Sequence, residues 1–176
     1  MDSDPRQPSL DKLVIAVVVT ALAVGAASGA KSPDPALPST LIDPVDERAV
    51  ELHPGAPVLH LVFFATWCPP CRDELPRLNE IVTRWGDRGY RLVVVAVPTR
   101  QSTRRVREFF DGAPFEGEYL FDAEGAAQKR FRADRLPLHV LMDDGGRIAL
   151  RAPSLNEEVE TTIERVMREH SRRTGN

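Results

Sequence analysis

Two short stretches of the chain are almost wholly apolar and rich in β-branched and aromatic residues, Val58 to Ala65 (VLHLVFFA) and Arg91 to Val97 (RLVVVAV). Continuous rather than alternating hydrophobicity over so few positions is the pattern of a strand covered on both faces. Between them Leu75, Leu78, Ile81, Val82 and Trp85 recur at helical spacing, and Gly86 and Gly89 close the pattern. Strand, helix and strand joined by a right-handed crossover make a parallel βαβ unit. Downstream, Ser102 is placed to cap a helix with Val106, Phe109 and Phe110 on one side, and Tyr119-Leu120-Phe121 is a short strand. A brief helix is expected from Ala123 to Phe131. Leu138 to Met142 and Arg147 to Arg151 flank Asp143-Asp144-Gly145-Gly146, a hairpin signal. Ser154 with Glu157 reads as a capping box for a last helix striped by Leu155, Val159, Ile163, Val166 and Met167. The pattern predicts an α/β fold with a mixed sheet, partly parallel, flanked by helices.

The N-terminal part reads differently. No residue from Leu13 to Ala30 is charged, and the run marks residues 1–30 as a membrane-targeting segment. It suits a spanning anchor, which needs roughly 17–25 residues. It also suits a signal peptide cleaved after Ala30, with small residues at Ser28 and Ala30. The flank containing Asp2, Asp4, Arg6, Asp11 and Lys12 is poorly basic for either role. No cysteine lies near Ala30 to take a lipid. Residues 31–44, with Pro33, Pro35, Pro38 and Pro44, read as an extended linker, leaving 45–172 as the folded domain. Both targeting readings put that domain outside the cytoplasm, attached to the membrane through residues 13–30 if these are retained.

Composition narrows the function. With 176 residues, 28% charged and 42% hydrophobic, the chain has room for one packed domain. A net charge of -3 supplies no electrostatic reason to bind nucleic acid. The 2 cysteines, Cys68 and Cys71, sit in one Cys-Pro-Pro-Cys run, too few for a disulfide scaffold or a four-cysteine zinc site. At a strand-to-helix junction such a pair is a thiol–disulfide redox site. Cys68 would stand at the helix N-terminus, where unpaired N–H groups favour the thiolate. Cys71, one turn deeper, would resolve the mixed disulfide. A structural disulfide is the alternative, though so short a loop gains little from a cross-link. Metal binding would need ligands from His53, His60, His139 or His170, none at motif spacing to the cysteines. No metal and no cofactor are therefore expected, and His60 and His139 read as satisfied core or surface residues.

Trp67-Cys68-Pro69-Pro70-Cys71, with Phe63-Phe64-Ala65-Thr66 before it and Arg72-Asp73-Glu74-Leu75-Pro76 after it, resembles the thioredoxin-like proteins of the TlpA/ResA type, within the wider redoxin or AhpC/TSA-like superfamily. The resemblance runs from about Val45 to His170 and implies a thioredoxin fold and thiol–disulfide exchange. Pro76 falls where that fold kinks its active-site helix. Leu136-Pro137 falls where the family keeps a cis-proline beside the sulfurs, so that Trp67, Leu136 and Pro137 would line the substrate groove. Asp143, Gly146 and Arg147-Ile148 match the hairpin that follows. Glu74 lines up with a glutamate that ResA-type proteins place near the cysteines. There it would raise a thiol pKa and shuttle a proton, although it is equally a favourable acid at a helix start. The catalytic set implied is Cys68, Cys71, Glu74 and Pro137.

Departures from the pattern are specific. Val62 occupies the place of the buried aspartate of cytoplasmic-type thioredoxins, and Leu138-His139 stands where small hydroxyl residues are usual, which bears on partner preference at the groove. Arg100, Arg104, Arg105 and Arg107 form a basic run, suited to an acidic partner or simply a solvated face. The resemblance implies reduction of disulfides in client proteins, among them apocytochromes or copper-site assembly proteins, with electrons returned by an upstream membrane or exported thiol–disulfide donor. An oxidase or isomerase would use the same cysteines at another potential. A metal-delivery or binding module is the non-enzymatic alternative. A peroxidase of the peroxiredoxin kind lacks its Thr-x-x-Cys spacing here, since Thr66 precedes Cys68 by two positions.

Overall fold

A computed structural model describes residues 40–175. The targeting segment of residues 1–30 and the linker up to Ser39 lie outside the described residues. Among those described, no helix is long and apolar enough to cross a membrane.

The two apolar runs form β3 (Val58–Phe64) and β4 (Tyr90–Ala96), parallel neighbours in register from Val58 opposite Tyr90 to Phe64 opposite Ala96. Every residue of β3 is buried, as continuous hydrophobicity requires. Between them lie α1 (Pro69–Asp73) and α2 (Leu75–Trp85), then a single 3-10 turn at Gly86–Arg88. The helix breaks at Glu74, where Pro76 in the following turn has no N–H to give to the carbonyl of Arg72. Gly89 enters β4 at φ 92°, and a Cβ there would stand 2.8 Å from the Pro57 ring, so only glycine fits.

The chain continues through α3 (Thr103–Asp111), β5 (Glu118–Phe121), α4 (Ala126–Arg130), the antiparallel hairpin β6 (Leu138–Asp143) and β7 (Ile148–Ala152), and α5 (Glu157–Thr174). Two further strands, β1 (Leu41–Ile42) and β2 (Ala49–Val50), precede β3. Together they give a 7-stranded mixed sheet in the order β2-β1-β5-β4-β3-β6-β7. Because β3, β4 and β5 succeed one another across the sheet, right-handed crossovers put α2 and α3 on the same face. The return to β6 carries α4 over the other face. The aromatic contacts agree: Phe64 meets Phe109 and Phe110 of α3 at 5.5 Å, while its neighbour Phe63 meets Phe131, just beyond α4, at 5.4 Å. Helix α5 packs on β3, β6 and β7 and is tied to α2 by the Arg77–Glu160 ion pair at 2.8 Å.

Two expectations need correction. The linker does not run to Pro44: Leu41 is fully buried, and Leu41 and Ile42 pair with Val50, Ala49 and Phe121. A strand of two residues carries no period and is invisible among prolines. The capping box of Ser154 and Glu157 does not form either. Asn156 caps α5, its side-chain oxygen accepting from the Val159 N–H at 3.1 Å. Ser102 caps α3 as expected, accepting from the Arg105 N–H.

Candidate active site

The loop after β3 delivers Cys68 to the head of α1, where Pro69 and Pro70 occupy the first turn, the one place in a helix where a missing N–H costs little. Cys68 and Cys71 are joined as a disulfide with Cα atoms 5.4 Å apart. The Cys71 N–H points at Cys68 Sγ across 3.4 Å, a donor placed to stabilise a thiolate on that sulfur. Both residues are buried, Cys68 at 5% exposure and Cys71 at 1%, so the first cysteine is the one solvent reaches.

The turn holding Cys68 is braced from the loop after β4. Gln101 accepts the Thr66 N–H on its side-chain oxygen at 2.9 Å and donates its amide to the Val97 carbonyl. The Trp67 indole N–H donates to the Thr99 carbonyl at 2.7 Å, and the Arg100 guanidinium lies 4.1 Å over the Trp67 ring. Trp67, Cys68 and Leu136 share a groove of about 190 Å³ with Val97, Thr99, Gln128, Ala133 and Asp134. The Leu136–Pro137 peptide bond is cis.

Glu74, at the α1–α2 break, turns its carboxylate inward. One oxygen accepts from the Leu155 N–H at 2.8 Å and the other bonds His139 Nε2 at 2.9 Å. His139 Nδ1 in turn lies 3.0 Å from His60 Nε2, and His60 Nδ1 lies 2.6 Å from the Tyr90 hydroxyl. His60 and His139 are fully buried or nearly so, and burial, with His139 beside it, keeps His60 well below its ordinary pKa and therefore neutral. Burial likewise raises the Tyr90 pKa.

Of the residues singled out in the sequence, Trp67, Cys68 and Leu136 thus line one groove, Cys71 lies behind it, and Glu74 faces away into the core beneath. His139 does not reach the groove: strand alternation turns it inward, so it cannot tune partner preference by contact. The basic run is also divided. Arg100 stacks on Trp67, whereas Arg104 pairs with Glu108 one helical turn on, at 3.3 Å. Sequence reasoning missed Gln101 and Thr99, which carry no motif, and the link between His60, His139 and Tyr90. The signal for that link was two histidines inside buried strands.

A family model described as the AhpC/TSA family matches residues 29–151, more than half the chain. The chain belongs to the AhpC/TSA family. A relative, the thioredoxin-like protein YneN of Bacillus subtilis, is 31% identical over 128 residues, covering 71% of each chain. The thiol-disulfide oxidoreductase ResA of Bacillus thuringiensis is 23% identical over 108 residues, covering 60% of this chain and 61% of ResA. The chain thus spans about three fifths of that relative. The crystal structure of StoA from Bacillus subtilis superposes with a TM-score of 0.61 at 22% identity, over 74% of this chain and 99% of StoA. The fold is thioredoxin-like. Within this AhpC/TSA member, Val62 is buried on β3 and the residue opposite it on β6 is His139.

Proposed function

We propose that this protein is an extracytoplasmic thiol–disulfide oxidoreductase that reduces disulfides in client proteins. The observation that carries the reading is the Cys68–Cys71 pair at the head of α1, with the Cys71 N–H aimed at Cys68 Sγ and a groove beside that sulfur. In the reduced protein the Cys68 thiolate attacks one sulfur of a client disulfide, and the other client sulfur leaves as a thiolate. Cys71 then loses its proton to a base and its sulfur attacks Cys68 Sγ. The mixed disulfide breaks, the client leaves with two electrons more, and the enzyme pair is oxidised. A thiol–disulfide donor of the membrane or the exported space returns those electrons. Glu74 is the protein's own candidate for the base, and solvent the other. Leu136 and Pro137 offer backbone to an extended client segment in the groove. Apocytochromes awaiting haem and copper-site assembly proteins are the client classes that the ResA-type resemblance suggests. The uncharged run of residues 13–30 supports placement at or beyond the cytoplasmic membrane.

The test is Cys71→Ala in the native host. The variant should accumulate mixed disulfides on Cys68 that diagonal electrophoresis resolves and reductant releases. If Cys68 stays free while the variant is folded, exchange with protein clients is not what the site does. The reduction potential of the Cys68–Cys71 pair then separates a reductase, at low potential, from an oxidase or isomerase.

A further inference from the structure

The hydrogen bonds between Tyr90, His60, His139 and Glu74 form a row, and with Glu74 ionised and His60 kept neutral by burial it has two arrangements, set by whether His139 carries one proton or two. With Glu74 ionised, His139 must donate from Nε2, so its Nδ1 is an acceptor. His60 must then donate from Nε2, and Tyr90 donates to His60 Nδ1. Every polar atom is satisfied and every donor points toward Glu74. One added proton reverses the row without moving a heavy atom: His139 becomes doubly protonated, its Nδ1 donates to His60, His60 donates from Nδ1, and the Tyr90 hydroxyl turns from donor to acceptor. The row is linear rather than convergent, and among the described residues no His, Cys, Asp and Glu cluster is arranged to hold a metal ion.

Among the described residues the other buried charged side chains are Asp122, held by the Ala127 and Gln128 N–H groups, and Asp143. Tyr90 faces the row from β4, and Glu74 from the α1–α2 junction. From the turn before α5 comes the Leu155 N–H, which donates to Glu74 at 2.8 Å. The charged pair linking α2 to α5, Arg77 with Glu160, sits at the surface, 45% and 25% exposed. On β6, Asp143 shares the face of His139 by alternation, but its carboxylate is occupied by the N–H groups of Gly145 and Arg147 and by the Arg147 side chain. Glu74, 16% exposed, is the member of the row most open to solvent.

We propose that Tyr90, His60, His139 and Glu74 act as one proton-holding row, in which His139 takes up the proton delivered at Glu74 and the charge so neutralised governs the protonation of the cysteine pair, whose second member lies three residues before Glu74. His139 is a positioning residue in this scheme and touches no reacting sulfur. The proton balance is simple. The proton lost by Cys71 before it attacks the mixed disulfide passes to Glu74, directly or through solvent, and rests on His139. It returns to solvent once the pair is oxidised. Nothing in the row is itself oxidised or reduced. Glu74 and His139 together carry one negative charge before uptake and none after it, so the row disfavours a thiolate when empty and tolerates one when loaded. The inference deepens the oxidoreductase reading and rests on it for its use, but the row itself is open to test without any client.

The decisive measurement is nitrogen-15 spectroscopy of the full chain with labelled histidines, followed through the range where histidine titrates, about pH 5 to 8, and below. His60 should change from the Nε2–H to the Nδ1–H tautomer at the same midpoint at which His139 gains its second proton. A His60 tautomer that stays fixed while His139 titrates, or two rings that never change before acid unfolding, overturns the proposal. A second arm uses H139Q, which keeps a donor for Glu74 but no titratable ring. In the reduced protein, the rate of Cys68 alkylation by iodoacetamide against pH should lose the inflection that wild type shows at the midpoint of the tautomer change. Superposable profiles would count equally against it. Should H139Q not fold, the wild-type spectra decide alone. Failure of Cys71→Ala to trap clients would remove the exchange reading and leave the row standing, so the two results are distinguishable.

Discussion

Glu74 illustrates how one residue serves two requirements at once. Its backbone lies at the break between α1 and α2, and its carboxylate joins that break to β6 and to the start of α5. Glu74→Gln keeps an acceptor for the Leu155 N–H but removes the charge that strengthens both bonds. Chemical denaturation should report a loss of about 1 kcal/mol, the difference between charge-assisted and neutral hydrogen bonds. The same variant should shift the ultraviolet titration of the Cys68 thiolate to lower pH, since a nearby negative charge opposes thiolate formation. A thiolate curve that does not move would confine Glu74 to its packing role. His60 and His139 were legible only as buried positions. They are 79 residues apart, and only the register that sets His60 opposite Leu141 and Val62 opposite His139 brings them diagonally together on one sheet face. Nothing local in the sequence encodes that register.

Among the elements, those with a strong pattern were the legible ones. Strands β3 and β4 announce themselves by uninterrupted apolar runs, the β6–β7 hairpin by its Asp-Asp-Gly-Gly turn, and α5 by its stripe. Strands β1 and β2 were not, because two residues make no pattern and β1 joins the sheet only through Ile42 opposite Phe121, far along the chain. The start of α5 shows a subtler failure: Ser154 and Glu157 satisfy the capping-box spacing, yet Asn156 is the residue whose side chain meets an N–H. Thermal or denaturant unfolding distinguishes the two. Asn156→Ala should cost about 1 kcal/mol, within the range for lost N-caps, while Ser154→Ala should be nearly silent.

Across the whole molecule, the far end of α5 is fastened to the hairpin by Asp144, which bonds His170 Nδ1 at 2.8 Å and the Arg173 guanidinium at 2.6 Å. Partial burial pushes the Asp144 carboxyl up, but the bonds from His170 and Arg173 outweigh it and hold the pKa below the ordinary aspartate value. A depressed carboxylate contributes stability that is present above its unfolded pKa and is lost as pH falls through its folded one. Asp144→Asn should therefore be less stable than wild type near neutrality, and the two unfolding curves should converge as the solution is made acid, most simply followed by circular dichroism at a series of pH values. A gap that persists in strong acid would mean that the contact matters by shape and not by charge.

The brace around Thr66 and Trp67 carries a mechanical corollary. Thr99 and Gln101 hold the turn before Cys68, and Arg100 stands between them on the same short loop. The Arg100 charge and the Cys68 sulfur are thus held to one loop, like a sight fixed to a barrel. A substitution that rebuilds this loop would therefore disturb the setting of the sulfur together with the charge beside it.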